Sequence, residues 1–184
     1  MRINEDNQKI IRTIIDYFCG NENFDQYKIV RNKADVNKGL LMFGGNGVGK
    51  TLLFKIIQSA GREIITKEGY KKTHFRNISC GNFVSLFMTS TSQRFESTLS
   101  FDLKNFYKGS LYIDDLGAEQ LAFNKYELLE EVLFERYRNQ ALTFITTNLS
   151  PSEIENRYGK RIGDRLPEMF NIIKWDGKSF REEL

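Results

Sequence analysis

The sequence has few of the residues that form disulfide scaffolds and metal centres. It contains two cysteines, Cys19 and Cys80, which lie far apart and form no Cys-x-x-Cys pair, and one histidine, His74. This composition argues against a disulfide framework or a zinc site, and it is typical of a reducing compartment. We therefore expect a cytoplasmic protein, in which His74 has a structural role.

Long apolar runs are also missing. No stretch is long enough to cross a bilayer, and the chain does not start with the apolar segment of a secretory signal peptide. Of its 184 residues, 40% are hydrophobic and 28% are charged, as in an ordinary globular domain. The composition predicts a soluble protein with one sizeable domain and no membrane partner.

Apolar periodicity predicts helices that alternate with strands. Residues at helical spacing predict helices over 5–18, 51–60, 82–88 and 124–140, and residues 21–38 form a polar connector. Short apolar runs predict strands over 39–43, within 73–80, over 111–113 and over 142–146, while residues 89–100 are expected to form a loop. The alternation indicates an α/β fold with three layers and a mostly parallel central sheet.

The C-terminal third contains several boundary signals. Ser150-Pro151-Ser152-Glu153 is a capping box with proline at the first helical position, and Gly159 is expected to end that helix. A further helix is predicted over 161–170, and the Asp-Gly pair in 172–180 predicts a β-hairpin. We divide the chain into an N-terminal helix and connector, 1–38, and a core that ends in the hairpin, 39–184.

The strongest motif is a phosphate-binding loop between the strand 39–43 and the helix 51–60. Its Gly-x-x-x-x-Gly-Lys-Thr pattern lets backbone N–H groups surround phosphate oxygens, and the following helix adds its positive N-terminal end. Lys50 is expected to reach the β- and γ-phosphates, and Thr51 to bind Mg²⁺. The predicted nucleotide-binding residues are Gly44, Gly45, Asn46, Gly47, Val48, Gly49, Lys50, Thr51 and Leu52.

Two adjacent carboxylates follow the apolar strand 111–113. Placing charges at the end of a buried strand is costly unless they meet a cation. Asp114 is therefore predicted to bind Mg²⁺ through water, and Asp115 to act as the general base that polarises the attacking water. The two motifs together predict a nucleoside triphosphate hydrolase.

The segment Asp114-Asp115-Leu116-Gly117-Ala118-Glu119 resembles the acidic segment of DnaC/DnaI-type helicase loaders, AAA+ ATPases that are related to IstB-type transposition helpers. Residues 144–148 resemble the sensor 1 strand of that family, 158–166 its arginine-finger segment and 174–181 its C-terminal tail. The resemblance implies that Asn148 faces the γ-phosphate. It also implies that Arg165, one helical turn after Arg161, is the finger and that Arg181 is sensor 2.

The resemblance covers about residues 39–181 and implies an AAA+ core without a helical lid. It also implies ATP with Mg²⁺, an ATP-dependent homo-oligomer, slow hydrolysis by the monomer, and a helicase-loading role in DNA replication. Two features depart from the family. The acidic strand ends in Asp-Asp where many AAA+ proteins have Asp-Glu, and residues 1–43 before the P-loop are short for the usual helicase-docking domain. We expect that module to be missing or reduced to residues 5–18.

Single-stranded DNA is a further partner implied by the family. Candidate contacts are basic residues beside aromatic ones, which suit backbone contact and base stacking. They are Lys71, Lys72, His74, Phe75, Arg76, Arg94 and Phe95. The lysine pair fits an ordinary solvated strand end equally well, because a net charge of +3 is only mildly basic.

Three alternative functions share parts of the pattern. An IstB-type transposition helper has the same nucleotide motifs and acts with a transposase in place of a helicase. A P-loop kinase needs an acceptor site and lid arginines, and the Thr146-Thr147-Asn148 sequence argues against it. A nucleotide-dependent binding module without significant hydrolysis is favoured if Asp115 cannot activate water.

Overall fold

A five-stranded parallel sheet is the centre of the fold in the computed structural model, which describes residues 5–63, 73–92, 101–177 and 179. The strands are β1 (Gly39–Phe43), β2 (Arg76–Ser79), β3 (Leu111–Leu116), β4 (Thr143–Thr147) and β5 (Phe170–Lys174). Their spatial order is β2-β3-β4-β1-β5, and every neighbouring pair is parallel. The carboxyl ends of β3, β4 and β1 therefore meet at one edge of the sheet.

Helices cover both faces of this sheet. The longer ones are α1 (Glu5–Phe18), α2 (Lys50–Glu63), α3 (Cys80–Ser92), α4 (Leu128–Arg138) and α5 (Pro151–Tyr158). Two short ones, α6 (Lys160–Gly163) and α7 (Leu166–Met169), lead into β5, and Leu103–Phe106 is a 3₁₀ turn. None of the helices in the described ranges is long and apolar enough to cross a membrane.

Two apolar clusters pack on opposite faces of the sheet. One contains residues of α1 and α2 with Leu40, Met42 and Phe144, and the other contains residues of α3, α4 and α5 with Leu41 and Ile145. Successive residues of β1 and β4 point to opposite faces, and all of them are buried because both faces are covered. This arrangement confirms the predicted three-layer α/β architecture with a parallel central sheet.

Helix α1 is part of this core. The side chains of Ile14 and Tyr17 are fully buried, and the Tyr17 ring packs edge-on against Phe144 of β4. The Tyr17 hydroxyl also donates to the carbonyl of Lys38 at 2.5 Å. Residues 5–38 thus contribute α1 to one of the helical layers, and the use of α1 as a docking module stays a prediction.

The predicted helix 124–140 begins later than expected, at Leu128. Phe123 and Asn124 have positive φ angles of 52° and 55°, and a bridge between Ala122 and Tyr126 closes a turn there. In the other direction, α3 is longer than the predicted 82–88, so residues 89–92 of the expected loop are helical. In both places local hydrogen bonding moves the helix boundary away from the apolar pattern.

The predicted β-hairpin over 172–180 is wrong for the described residues. Phe170–Lys174 is a fifth parallel strand that pairs with β1, from Gly39↔Phe170 to Phe43↔Lys174. The predicted helix 161–170 is split, because α6 ends at Gly163 and α7 begins at Leu166 with Pro167 in its first turn. The apolar run at 170–173 has strand length and is buried on both faces, which explains its place inside a parallel sheet.

The packing of α1 predicts a clear difference between neighbouring isoleucines. Replacing the fully buried Ile14 by alanine should lower the free energy of unfolding by about 2–5 kcal/mol, because it leaves a cavity against the sheet. Ile15→Ala is the matched control, since Ile15 is 44% exposed and its loss should change stability by about 0.5 kcal/mol or less. Urea unfolding measures both. Equal effects would show that α1 does not belong to the core.

Candidate nucleotide-binding site

The P-loop connects the carboxyl end of β1 to α2, and at two of its glycines a side chain would clash with the chain that follows β5. Gly44 has φ of 144°, and a Cβ there would lie 2.1 Å from the carbonyl oxygen of Trp175. Gly47 has φ of 76°, and a Cβ there would lie 2.2 Å from Ser179 Oγ. The chain after β5 therefore runs directly along the P-loop, fixed by a 2.7 Å hydrogen bond from Trp175 N–H to the Phe43 carbonyl.

Lys50 lies at the centre of the loop and is 7% exposed. Its ammonium group donates to the carbonyls of Gly44 and Gly45 at 2.8 and 2.7 Å, and to Asn148 Oδ1 at 3.0 Å. Burial lowers the pKa of Lys50, and the negative charges of Asp115 and Asp114 oppose that shift. The result is a positive charge held between the P-loop and the end of β4.

Asp114 is surrounded by hydroxyl groups from three elements. Its Oδ1 atom accepts hydrogen bonds from Thr51 of α2 at 2.8 Å, Tyr112 of β3 at 2.7 Å and Thr146 of β4 at 2.7 Å. These contacts bring the P-loop threonine and the first strand-end carboxylate together, as the sequence predicts. Tyr112 and Thr146 were not predicted as site residues. Their only signal is their position on strands that end at the site.

Asp115 has a different environment from Asp114. It is exposed, its φ is 60°, and the pairing of β3 with β4 is irregular between Ile113 and Leu116. This bulge turns the Asp115 side chain outward, and Asn148 Nδ2 lies 3.3 Å from Asp115 Oδ1. Positive φ is unfavourable for aspartate, and such strain clusters at functional sites.

A cavity of about 340 Å³ lies over these groups. The P-loop side contributes Lys50 and Thr51, and the sheet side contributes Asp115, Thr146 and Asn148. The remaining lining residues are Asn46, Gly47, Val48, Gly49, Leu52 and Lys55. Most of the predicted nucleotide-binding residues thus meet at one concave site, and Lys55 is an addition that follows from its place one helical turn after Thr51.

The oxygen atoms of Thr51 and Asp114 fit a magnesium ion. Mg²⁺ prefers hydroxyl and carboxylate oxygens together with phosphate oxygens and water, and the two side chains lie 2.8 Å apart at the mouth of the P-loop. Thr51 and Asp114 would hold the ion, which would supply positive charge beside a bound phosphate chain. This assignment stays a prediction.

Arg161 and Arg165 are not among the described residues that line this cavity. Arg165 donates from Nη1 to the Arg161 carbonyl at 2.8 Å, and its guanidinium lies 5.0 Å from the centre of the Tyr137 ring. The Arg161 guanidinium lies over Phe134. Arg181 lies outside the described residues, so its role as sensor 2 remains a prediction.

The DNA-contact candidates are only partly described. Phe75 is buried among Phe54, Tyr112 and Phe144, so its predicted use for base stacking is wrong. Arg76 is exposed and lies 5.1 Å from the centre of the Phe106 ring. Lys71, Lys72, Arg94 and Phe95 lie outside the described residues.

The parallel sheet, the P-loop and the acidic end of β3 together form a candidate nucleotide-binding core of the P-loop type. No protein-family model matches the chain. The chain is similar to the replicative helicase loader DnaI of Bacillus subtilis (strain 168), with 28% identity over 165 residues. The match covers 82% of this chain and 50% of that relative, so the chain spans about half of the relative's length.

Solved structures show the same fold. The crystal structure of the DnaC helicase loader matches with a TM-score of 0.61 and 19% identity, over 96% of this chain and 93% of that one. The DnaI crystal structure matches with a TM-score of 0.56 and 21% identity, over 96% and 85%. The replication initiator DnaA bound to AMPPCP and single-stranded DNA matches with a TM-score of 0.59 and 15% identity, over 97% and 49%. These matches confirm the predicted resemblance at the level of the fold.

The contact between the P-loop and the chain after β5 predicts different effects for two adjacent glycines. Gly44→Ala should lower Tm by about 5 °C or more, because positive φ and the Trp175 carbonyl both oppose a Cβ atom. Gly45→Ala is the control, since the nearest atom to its Cβ is Val48 Cγ1 at 4.0 Å, and Tm should change by about 2 °C or less. Thermal unfolding without nucleotide measures both. A Gly44→Ala protein as stable as Gly45→Ala would contradict the described contact.

Proposed function

We propose that this chain is an AAA+ ATPase of the helicase-loader type, which binds ATP with Mg²⁺ and hydrolyses it when assembled. The observation that carries this proposal is the convergence of Lys50, Thr51, Asp115 and Asn148 on one cavity beside the P-loop, with Asp114 bonded to Thr51. A phosphate chain that enters this cavity would meet the Lys50 ammonium group on one side and the Asp115 carboxylate on the other.

Each side chain at this site has a distinct chemical role in the proposal. The Lys50 ammonium neutralises charge on the β- and γ-phosphates, and Thr51 with Asp114 holds the metal. Asp115, whose carboxylate is exposed to the cavity, takes the proton of the attacking water as general base. An exposed carboxylate facing the phosphate site favours hydrolysis over a binding module that holds ATP unchanged.

Asn148 is placed to orient both sides of the site. Its Oδ1 atom accepts from Lys50 at 3.0 Å, and its Nδ2 group donates to Asp115 at 3.3 Å. The two contacts fix the amide orientation, because only this orientation satisfies a cationic donor and an anionic acceptor together. Asn148 would therefore position the general base relative to the γ-phosphate.

The proposed arginine finger acts between subunits. Arg165 does not line the cavity of its own chain and is half-buried beside Tyr137, so it would reach a phosphate only in a neighbouring subunit. Fingers of this kind are worth roughly 10³–10⁵ in rate. The isolated chain would therefore hydrolyse ATP slowly, and assembly would be the switch.

The similarity to a replicative helicase loader favours a cytoplasmic role in DNA replication, with a replicative helicase as the protein partner. The DnaA protein of the same fold is bound to single-stranded DNA, and we include single-stranded DNA among the proposed partners. No described feature favours a transposase.

The proposal predicts that ATP turnover per subunit rises with protein concentration and with added single-stranded DNA. Lys50→Ala should abolish turnover, because it removes the buried charge that faces the phosphates. At a concentration where the wild type is assembled, Arg165→Ala should lower kcat by about 10³-fold. Steady-state ATPase assays over a range of protein concentrations measure these effects.

The matched control is Arg138→Ala. Arg138 forms an exposed ion pair with Glu135 of the same helix at 2.9 Å, and such pairs contribute little to the stability of the fold. Its turnover should remain within about twofold of wild type. Turnover that is independent of concentration and unchanged in Arg165→Ala would reject the assembling ATPase.

A further inference from the structure

Glu119 is a buried carboxylate in the loop that follows β3, and the proposed chemistry does not use it. Its side chain is 0% exposed. Oε2 accepts from the N–H of Gly117 at 2.9 Å, and Oε1 accepts from the Tyr158 hydroxyl and lies 3.1 Å from Arg157 Nη2. The carboxylate thus joins its own loop to the end of α5.

Arg157 makes the same connection from the other side. Its Nη1 donates to the Gly117 carbonyl, and its Nη2 donates to the Glu119 carbonyl at 2.6 Å. Its Nε donates to Glu127 Oε2 at 3.1 Å, before α4. All three nitrogens of the planar guanidinium therefore donate hydrogen bonds. They connect the end of α5 both to the loop after β3 and to Glu127.

The two ends of this connection lead to functional candidates. Gly117 follows Asp115 by two residues and has a φ of 99°, which disfavours any other residue. A Cβ at this position would also lie 2.4 Å from Leu149 Cδ1. On the other side, α5 ends one residue after Arg157, and Gly159 leads into α6, which carries Arg161. The loop of the proposed base and the segment of the proposed finger are thus tied by one side-chain pair.

A stabilising role alone does not account for this arrangement. Desolvation largely offsets the attraction within a buried ion pair, and apolar residues of similar size would stabilise the fold equally well. The forked contacts of Arg157 instead fix the orientation of the loop after β3 relative to the end of α5.

We infer that Glu119 and Arg157 are positioning residues that transmit a change at the nucleotide site to the segment bearing Arg161 and Arg165. Movement of Asp115 and its loop on nucleotide binding would displace the Gly117 and Glu119 carbonyls, and Arg157 would carry that displacement into α5 and α6. The role of the finger rests on the proposed function, whereas the link itself requires only nucleotide binding.

Amide hydrogen exchange of the monomeric full chain tests the link directly. Addition of AMPPCP and Mg²⁺ to wild type should slow exchange in residues 151–165 by about fivefold or more, the low end of usual coupling factors. The double variant Glu119→Gln with Arg157→Met removes the buried Glu119 charge and the fork together, and Glu127 is left without its Arg157 partner. It should bind AMPPCP within about twofold of wild type and lose the slowing.

Two further variants separate positioning from stability. Arg157→Lys keeps a positive charge beside Glu119 but loses the fork, so it should also lose most of the slowing. Glu135→Gln with Arg138→Met removes an exposed ion pair on α4 in the same way and should keep the wild-type response. Should the first double variant fail to fold, Arg157→Lys provides the test.

The outcomes are distinguishable from those of the ATPase assays. No nucleotide-dependent slowing in wild type, or full slowing in the Glu119 and Arg157 variants, would overturn the link. If the slowing depends on Arg157 but ATP turnover is unchanged in Arg165→Ala, the link between the two segments stands. The role of Arg165 as an arginine finger is then wrong.

Discussion

Three hydroxyl groups donate hydrogen bonds to one carboxylate oxygen of Asp114. This convergence depends on the parallel order of the strands in the sheet. Thr51, Tyr112 and Thr146 come from a helix and two strands that are distant in sequence, and all three donate to that atom. They meet because β3, β4 and β1 are neighbours with the same direction, so that their carboxyl ends share an edge. The P-loop begins at that edge, and the site exists only while this order is kept.

The two carboxylates at this edge differ because the register of β3 with β4 shifts between Ile113 and Leu116, where both lie. Asp114 continues the regular pairing of β3 with β2, and its Oδ1 atom is enclosed by hydroxyls. Asp115 follows with positive φ, beyond the regular register with β4, and is exposed. The bulge therefore separates a carboxylate suited to holding a metal from one suited to accepting a proton. Arg157 and Glu119 hold the chain just beyond this bulge.

The sequence predicts the central parts of the fold and site well where one local signal suffices. The P-loop at Lys50, the acids at Asp114 and the capping box at Ser150 are short motifs, and the structure places each as expected. The strand Phe170–Lys174 could not be recognised as the partner of β1, because parallel pairing leaves no turn signal. Likewise, the Glu119 network depends on Arg157, which is 38 residues away.

The contacts of Lys50 explain how this site can respond to the phosphate that it binds. The ammonium group has three donors, and Gly44, Gly45 and Asn148 accept all of them. A γ-phosphate can gain a hydrogen bond from Lys50 only if one of these partners is released. Release of Asn148 would free its Oδ1 atom, while its Nδ2 group still donates to Asp115. The β-phosphate of a nucleoside diphosphate would also take one of these donors, whereas a triphosphate would require a further donor for its γ-phosphate. The exchange at Lys50 thus gives the site a physical means to distinguish the two nucleotides.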